Sequence, residues 1–267
     1  MNDETQHGLQ QASPLYVASL AKGMILLESF RDGAPLLGIA DLARLTGFEK
    51  NLVQRLTNTL YQMGYLGKDP VRRKYYLTPR ILTHSFNYLR SRKLFALSMP
   101  ALVDLREDLR KAVNMCVLNG PDITYVIRLW LNYYHEASLF GESLPAYSSA
   151  GGRMLLSLLS DEETLALLES VERRKLTPHT RTDVGELMAE IGRVREQGYC
   201  WQVSEFIEKE ISVSAPVTDA DGKSAAIIVT SLLKKVTPET CQDFIDETLP
   251  ALLATASSIS RLAGAPL

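Results

Sequence analysis

Between Leu36 and Leu77 the chain runs through an apolar segment, a Thr46-Gly47 turn, a second periodic segment and a short basic ribbon. No other feature constrains the fold as strongly. The order predicts helix, tight turn, helix and hairpin, which is how a winged helix-turn-helix is built. Ile39, Leu42 and Ala43 make the inner stripe of the first of these helices. Gly47 permits the left-handed backbone that a helix-to-helix turn needs. Val53, Leu56, Leu60 and Met63 recur at helical spacing and form the apolar stripe of the second. Lys50, Asn51, Gln54, Arg55 and Asn58 are left on its other faces, and Gly64 stops it. Tyr65-Leu66 and Tyr75-Tyr76-Leu77 read as two short strands, with Lys68 to Lys74 as the wing between them.

Charge points the same way. Residues 47–80 hold Lys50, Arg55, Lys68, Arg72, Arg73, Lys74 and Arg80 against Glu49 and Asp69, an excess of five positive charges. The whole chain carries −2, so the remainder carries −7. A basic patch on an acidic body suits a protein that touches phosphate with one face only. Arginine reads guanine, and asparagine or glutamine reads adenine, through paired hydrogen bonds. Lys50, Asn51, Gln54, Arg55 and Asn58 are therefore the candidates for contact with double-stranded DNA from the second helix. Arg72, Arg73 and Lys74 are expected to clamp phosphates or the minor groove.

The 267 residues suit two modest domains, and 46% hydrophobic residues suffice for real cores. No run of about 18 apolar residues exists, so no membrane span is expected. Met1 to Pro14 is polar and lacks the apolar stretch of a signal peptide, so it reads as a disordered arm. Cys116, Cys200 and Cys241 are widely spaced and cannot all pair, which favours a reducing cytoplasm and buried, inert thiols. His7, His84, His135 and His179 are equally scattered, so neither a metal nor another cofactor is expected.

Ser19 is placed to cap a helix whose Leu20, Met24 and Leu27 form a stripe, and Arg31 to Pro35 make a turn. Thr78-Pro79 opens a helix to about Leu97, with Pro100 interrupting before another to Lys111. Strands are expected at 114–118, 123–131 and 135–141, with the Asn119-Gly120-Pro121-Asp122 turn between the first two. Helices follow at 149–159, at 161–170 behind the capping box Ser160-Asp161-Glu162-Glu163, and at 183–197. Strands return at 199–203, 212–218 and 224–233, the last two joined by Asp219-Ala220-Asp221-Gly222, and Thr237-Pro238 opens a closing helix. The expected class is α+β with a mostly antiparallel sheet. Expected domains are a winged helix-turn-helix over 15–78, a linker helix over 79–97 and a second domain over 98–267. Leu82, Phe86, Leu89 and Leu94 give the linker more apolar surface than it needs alone, so it and the first helix are expected to build a dimer.

In the second domain, Tyr147-Ser148-Ser149-Ala150-Gly151-Gly152 precedes a helix. Small residues there admit a ligand to backbone N–H groups, and a helix start favours a carboxylate; a plain serine cap is the other reading. Arg153 serves such an anion, an ion pair or an interface. Trp130, Tyr133, Tyr147 and Trp201 line either a pocket or the core. Ser212 and Thr230, on neighbouring strands, are placed to hydrogen-bond a ligand or the backbone. Enzyme signatures fail: Gly141-Glu142-Ser143-Leu144-Pro145 lacks the closing glycine of a nucleophile elbow, and Gly151-Gly152-Arg153 lacks the spacing of a phosphate loop.

From Leu15 to Ala263 the chain resembles the isocitrate-lyase-regulator (IclR) family of bacterial transcription factors. The resemblance rests on Gly47 to Leu56, on Asp69 to Leu77, on Gly141 to Pro145 with Ala150 to Leu156, on Val194 to Tyr199, and on Ser214 to Val217 with Asp221-Gly222. It implies a GAF-like C-terminal domain that binds a small metabolite, and a dimer or tetramer. It places Tyr147, Ser149, Ala150, Gly151, Trp201, Gln202, Ser212 and Thr230 at the effector site. The family often has an acid at Gln202, glycine at Lys209, cysteine at Ser212 and a polar residue at Ile228. Those departures favour a small organic acid with an apolar or aromatic body over the smallest oxo-acids. The resulting expectation is a cytoplasmic regulator of catabolic genes that reads a pseudo-palindromic operator as a dimer. A metabolic enzyme with an appended DNA-binding head and a ligand-independent DNA-binding module are the rivals.

Overall fold

The computed structural model describes residues 14–30, 36–130, 143–222 and 224–265. They divide between Tyr88 and Leu89 into two compact units.

The first unit holds helices α1 (Ala18–Glu28), α2 (Ile39–Thr46) and α3 (Lys50–Gln62), then the antiparallel strands β1 (Leu66–Lys68) and β2 (Tyr75–Leu77). Leu26, Leu37, Leu42, Val53, Leu60, Leu66 and Tyr75 make its core. Gly47 ends α2 at φ +72°, and Gly64 follows α3 at φ +78°, both in the left-handed region that glycine enters without strain. Helix α1 departs from expectation. Its N-cap is Val17, and Leu20 and Met24 are 66% and 50% exposed, whereas Leu26 turns inward. In α3 the inner place expected for Met63 goes to Thr57, one turn on from Val53. The buried Thr57 hydroxyl is satisfied by donating to the Val53 carbonyl at 2.6 Å, while Met63 caps the helix half exposed.

The helix expected over 79–97 is two helices, α4 (Arg80–Ser91) and α5 (Lys93–Leu109). Arg92 breaks them apart in extended conformation. Its guanidinium pairs with Asp219 at 3.3 Å and lies over the Phe95 ring, contacts that a continuous helix could not give it. Pro100 does not end α5 but lies within it. Pro100 and Ala96, whose carbonyl loses its partner, are both exposed, so water satisfies what the missing N–H cannot. Leu94 is buried and Leu89 packs beside it in the core of the second unit, which removes both from the expected dimer face.

The second unit is built on β3 (Ala112–Asn119), β4 (Asp122–Leu129), β5 (Ser143–Pro145), β6 (Cys200–Val203), β7 (Glu210–Thr218) and β8 (Ser224–Leu232). They form one antiparallel sheet in the order β5-β4-β3-β8-β7-β6. Strand alternation assigns the faces. Val113, Met115, Val117, Ile211, Val213, Ala215, Ile227 and Val229 point toward α5 and the closing helix α9 (Pro238–Leu262), with Leu102, Phe244, Leu252 and Ile259 opposite them. Cys116, Ile123, Tyr125, Ala226 and Ile228 point the other way. They meet α6 (Ala150–Leu156), α7 (Asp161–Glu169) and α8 (Val184–Gln197). The capping box forms as its sequence foretells: Glu163 N–H donates to Ser160 Oγ at 3.2 Å, and Ser160 N–H to Glu163 Oε2 at 3.0 Å. The strand expected at 135–141 lies outside the described residues. Lys209, where the resemblance expects glycine, sits at φ +65°, a strained choice for a residue with a Cβ.

Candidate DNA interface and effector site

Helix α3 presents Lys50, Asn51, Gln54, Arg55 and Asn58 to solvent while Val53, Thr57 and Leu60 face the core. Spacings of one, three and four residues put the five on one contiguous face, a spread of donors and acceptors suited to base edges. The wing turn is set by Asp69, whose Oδ1 accepts from Val71 N–H at 2.9 Å and Arg72 N–H at 2.6 Å. Arg73 then takes φ +55°, and Arg72 and Arg73 stand exposed at the tip. Lys74 is placed differently. Its ammonium meets Asp41 of α2 at 3.2 Å. The Gly38 N–H bond, then Lys74 itself, hold the Asp41 carboxyl below the usual carboxylate range. Part of the charge at Lys74 is thus spent inside the protein, leaving the two wing arginines as the freer cations.

In the second unit, polar groups gather on the sheet face that carries α6 to α8. Cross-strand pairing aligns Gln202, Ser212 and Thr230 in one row. The next row holds Cys200, Ser214, Ile228, Asn114 and Arg128. Ser212 and Thr230 hydroxyls bond each other at 3.0 Å. Gln202 Oε1, Ser214 Oγ, Asn114 Oδ1 and Trp130 Nε1 are buried without a hydrogen-bond partner among the described residues. Such atoms are costly unless something fills their valence. Arg128 lies over the rings of Tyr125 and Trp130, at 4.2 and 4.6 Å from their centroids. Glu210 is two residues before Ser212 on the same face, and burial pushes its carboxyl up to about 7, against the lowering influence of Arg128. A cation, an acid and a row of hydroxyl and amide groups thus share one strip beside the apolar seat of α6.

The sequence-predicted residues divide. Gln202, Ser212 and Thr230 fall together in this strip. Trp201 pairs with Val213, on the opposite face from Gln202, and stands 36% exposed at the sheet edge. Tyr147 is fixed elsewhere: its hydroxyl donates to the Arg174 carbonyl and accepts from the Arg174 N–H, each at 2.9 Å. Ser149 caps α6, accepting from Gly152 N–H at 3.0 Å. Ala150 is buried in the core. A Cβ on Gly151 would lie 2.4 Å from Ile228 Cδ1 and 2.8 Å from Cys116 Sγ. Close packing of helix on sheet therefore requires that glycine. Tyr133 lies outside the described residues.

Arg153 takes the internal role. Fully buried, it donates to Glu205 Oε1 at 2.8 Å, to Glu205 Oε2 at 2.5 Å and to the Tyr147 carbonyl at 2.9 Å. Sequence reasoning missed Arg128 and Glu210. The signal for Arg128 is a charge among the apolar residues of β4, with Tyr125 and Trp130 flanking it, and for Glu210 a charge at the start of β7, two residues before Ser212. An open groove of 340 Å³ beside α8 brings Trp201 and Gln202 together at its wall, but its charges pair internally, Arg181 and Arg193 both with Glu190. Among the described residues no cluster of histidine, cysteine and carboxylate suits a metal, and no helix is long and apolar enough to cross a membrane. Burial pushes the Cys116 thiol up and that of Cys200 to about 12, so neither is a nucleophile near neutrality.

Residues 19–70 match the IclR helix-turn-helix domain, and residues 86–261 match the bacterial transcriptional regulator IclR C-terminal domain. The chain is 31% identical over 254 residues to the p-hydroxybenzoate hydroxylase transcriptional activator of Acinetobacter baylyi, covering 92% of each chain. An IclR family transcriptional regulator from Brucella abortus shares the fold at TM-score 0.78 and 23% identity, over 94% of each chain. The inducer-binding domain of the PobR transcription factor from Acinetobacter, a double mutant in complex with 3-hydroxybenzoic acid, matches at TM-score 0.55 and 29% identity. That match covers 61% of this chain and 95% of the other.

Proposed function

Because the chain belongs to the IclR family of bacterial transcriptional regulators, we propose that it reads a pseudo-palindromic operator in the cytoplasm as a dimer, under the control of an aromatic carboxylic acid. The exposed face of α3 enters the major groove and the wing arginines hold the backbone. Leu15 and Val17 before α1, Leu20 and Met24 on it, and Leu82 and Phe86 on α4 leave apolar surface that a second copy would cover. Two symmetric heads demand half-sites a helical turn or more apart.

The DNA reading is tested by comparing specific and scrambled duplexes across salt. Arg55→Ala is expected to weaken the operator by roughly 1–3 kcal/mol and leave scrambled DNA nearly unchanged. Replacing Arg72 and Arg73 together should weaken both duplexes alike and flatten the salt slope. Unaltered binding in both variants removes this face from the interface.

The effector reading is carried by Arg128 on its two aromatic rings, beside buried Asn114, Ser214 and Gln202 atoms that lack partners. A planar guanidinium holds a carboxylate through two parallel bonds, and Tyr125 and Trp130 suit a flat apolar body. The similar activator of p-hydroxybenzoate hydroxylase and the related domain holding 3-hydroxybenzoic acid support the aromatic class. Arg128→Met keeps an apolar side chain of similar reach and removes the guanidinium that lies over the rings. It is expected to weaken hydroxybenzoate binding by about a hundredfold in calorimetry while operator affinity persists. Equal affinity in parent and variant would move the acid elsewhere. The ligand shifts the DNA-binding arrangement only through different affinity for its two states.

A further inference from the structure

We propose that Glu210 is the specificity residue of the effector site, selecting aromatic acids that carry a hydroxyl remote from the carboxylate and rejecting those with a second carboxylate. The proposal rests on the reading of Arg128 as the carboxylate anchor. Glu210 opens β7, whose register against β8 runs unbroken from Glu210 to Thr218. Ile211, Val213, Ala215 and Val217 all pack toward α5 and α9, so alternation sends Glu210 to the face of Ser212 and Arg128. It is one row beyond the Gln202–Ser212–Thr230 row, on the side away from the row of Asn114 and Arg128. The hydroxyl pair and the glutamine thus stand between the strip's cation and its acid.

A ligand spanning the strip with its carboxylate at Arg128 would bring its far end toward Glu210. A half-buried carboxyl raised by desolvation binds a neutral hydroxyl well, because it accepts when ionised and donates when protonated. It opposes a second carboxylate, since like charges in a poorly solvated site repel. Ser212 and Thr230 already satisfy each other, so they compete little for the ligand's hydroxyl.

Calorimetry on the full chain at one pH, with benzoate, 3- and 4-hydroxybenzoate and terephthalate, tests the proposal. The parent should bind one hydroxybenzoate roughly tenfold or more tightly than benzoate, and terephthalate poorly. Glu210→Leu should lose the hydroxyl preference, its ratio of hydroxybenzoate to benzoate affinity falling toward one. Glu210→Gln, which keeps an acceptor without charge, should keep that preference and admit terephthalate, so the test survives if the leucine variant fails to fold. A parent that binds benzoate and both hydroxybenzoates alike overturns the role of Glu210 and leaves the carboxylate site standing. So does a preference unchanged in Glu210→Leu, or terephthalate still excluded by Glu210→Gln. A parent that binds none of the four acids overturns the carboxylate site and this proposal together.

Discussion

Exchanging Arg153 for leucine is expected to cost about 3–5 kcal/mol of stability, because it strands Glu205 as a buried charge. Arg153 reaches from α6 to Glu205 in the segment between β6 and β7, using both guanidinium nitrogens on both carboxylate oxygens. Around that pair, Thr177 donates to the Ser204 carbonyl at 2.5 Å, Thr180 to the Glu205 carbonyl at 2.6 Å, and Arg181 N–H to Glu205 Oε2 at 3.0 Å. One ion pair therefore fixes a helix, a sheet connection and the 171–183 segment together. The double variant Arg153→Leu/Glu205→Leu should be less damaged than Arg153→Leu alone, since removing both charges leaves nothing unpaired. Burial pushes the Glu205 carboxyl up, but the Arg153 hydrogen bonds and charge, with Arg181, outweigh it and hold it below the usual carboxylate range. Glu190 faces the same cluster through Arg181. A carboxylate lowered on folding contributes fully above its unfolded range and loses that contribution as pH falls through the folded value. The stability gap between parent and Arg153→Leu should therefore narrow as pH falls, because the parent loses the Glu205 contribution while protonation relieves the stranded carboxyl of the variant. Equal thermal and acid midpoints in parent and variant would show that the buried pair does not secure this unit.

The DNA-binding head was legible because its signals are local. Gly47, Gly64 and the stripe of Val53, Leu56 and Leu60 each depend on neighbours within one or two turns. Met63 and the α1 stripe misled for one reason: apolar spacing says that a face exists, not which partner covers it. Leu20 and Met24 satisfy the period yet stand in solvent, while Leu26 fills the core. Arg92 stands extended between two helices where propensity favours one, and its partner Asp219 lies far along the chain. The effector strip was harder still. Ser212, Thr230 and Gln202 were reachable through the family resemblance, which carries register implicitly. Arg128 and Glu210 depart from apolar strands, and only the pairing of β3 with β4 and β8 with β7 brings them to one face. Ser149 and Gly151 looked like a ligand cradle because small residues before a helix serve ligands and packing equally well. Distances to the sheet show the packing use at Gly151.

Those distances separate two adjacent glycines. A methyl group on Gly152 would lie 2.3 Å from the Ala146 carbonyl oxygen and 2.4 Å from Ala146 Cα. Backbone cannot rotate away, so Gly152→Ala is expected to cost more than about 3 kcal/mol, or to prevent folding of the second unit. The same methyl on Gly151 meets Ile228 Cδ1 and Cys116 Sγ, the ends of side chains that can shift. Gly151→Ala should therefore cost about 1–3 kcal/mol, typical of overpacking. Ile228→Ala would remove both Ile228 atoms that crowd the site, Cδ1 at 2.4 Å and Cγ1 at 2.9 Å. The double variant should then recover much of what Gly151→Ala loses, a coupling expected only of residues in contact. Ile228 also occupies the row between Ser214 and Asn114, so a displaced Ile228 intrudes on the effector strip. Gly151→Ala is accordingly expected to weaken hydroxybenzoate binding while operator binding by the first unit persists. Chemical denaturation of the four variants, with calorimetry on those that fold, measures both effects. If Gly151→Ala is as damaging as Gly152→Ala and Ile228→Ala gives no relief, then α6 is not seated on the sheet in the way that joins packing to effector response.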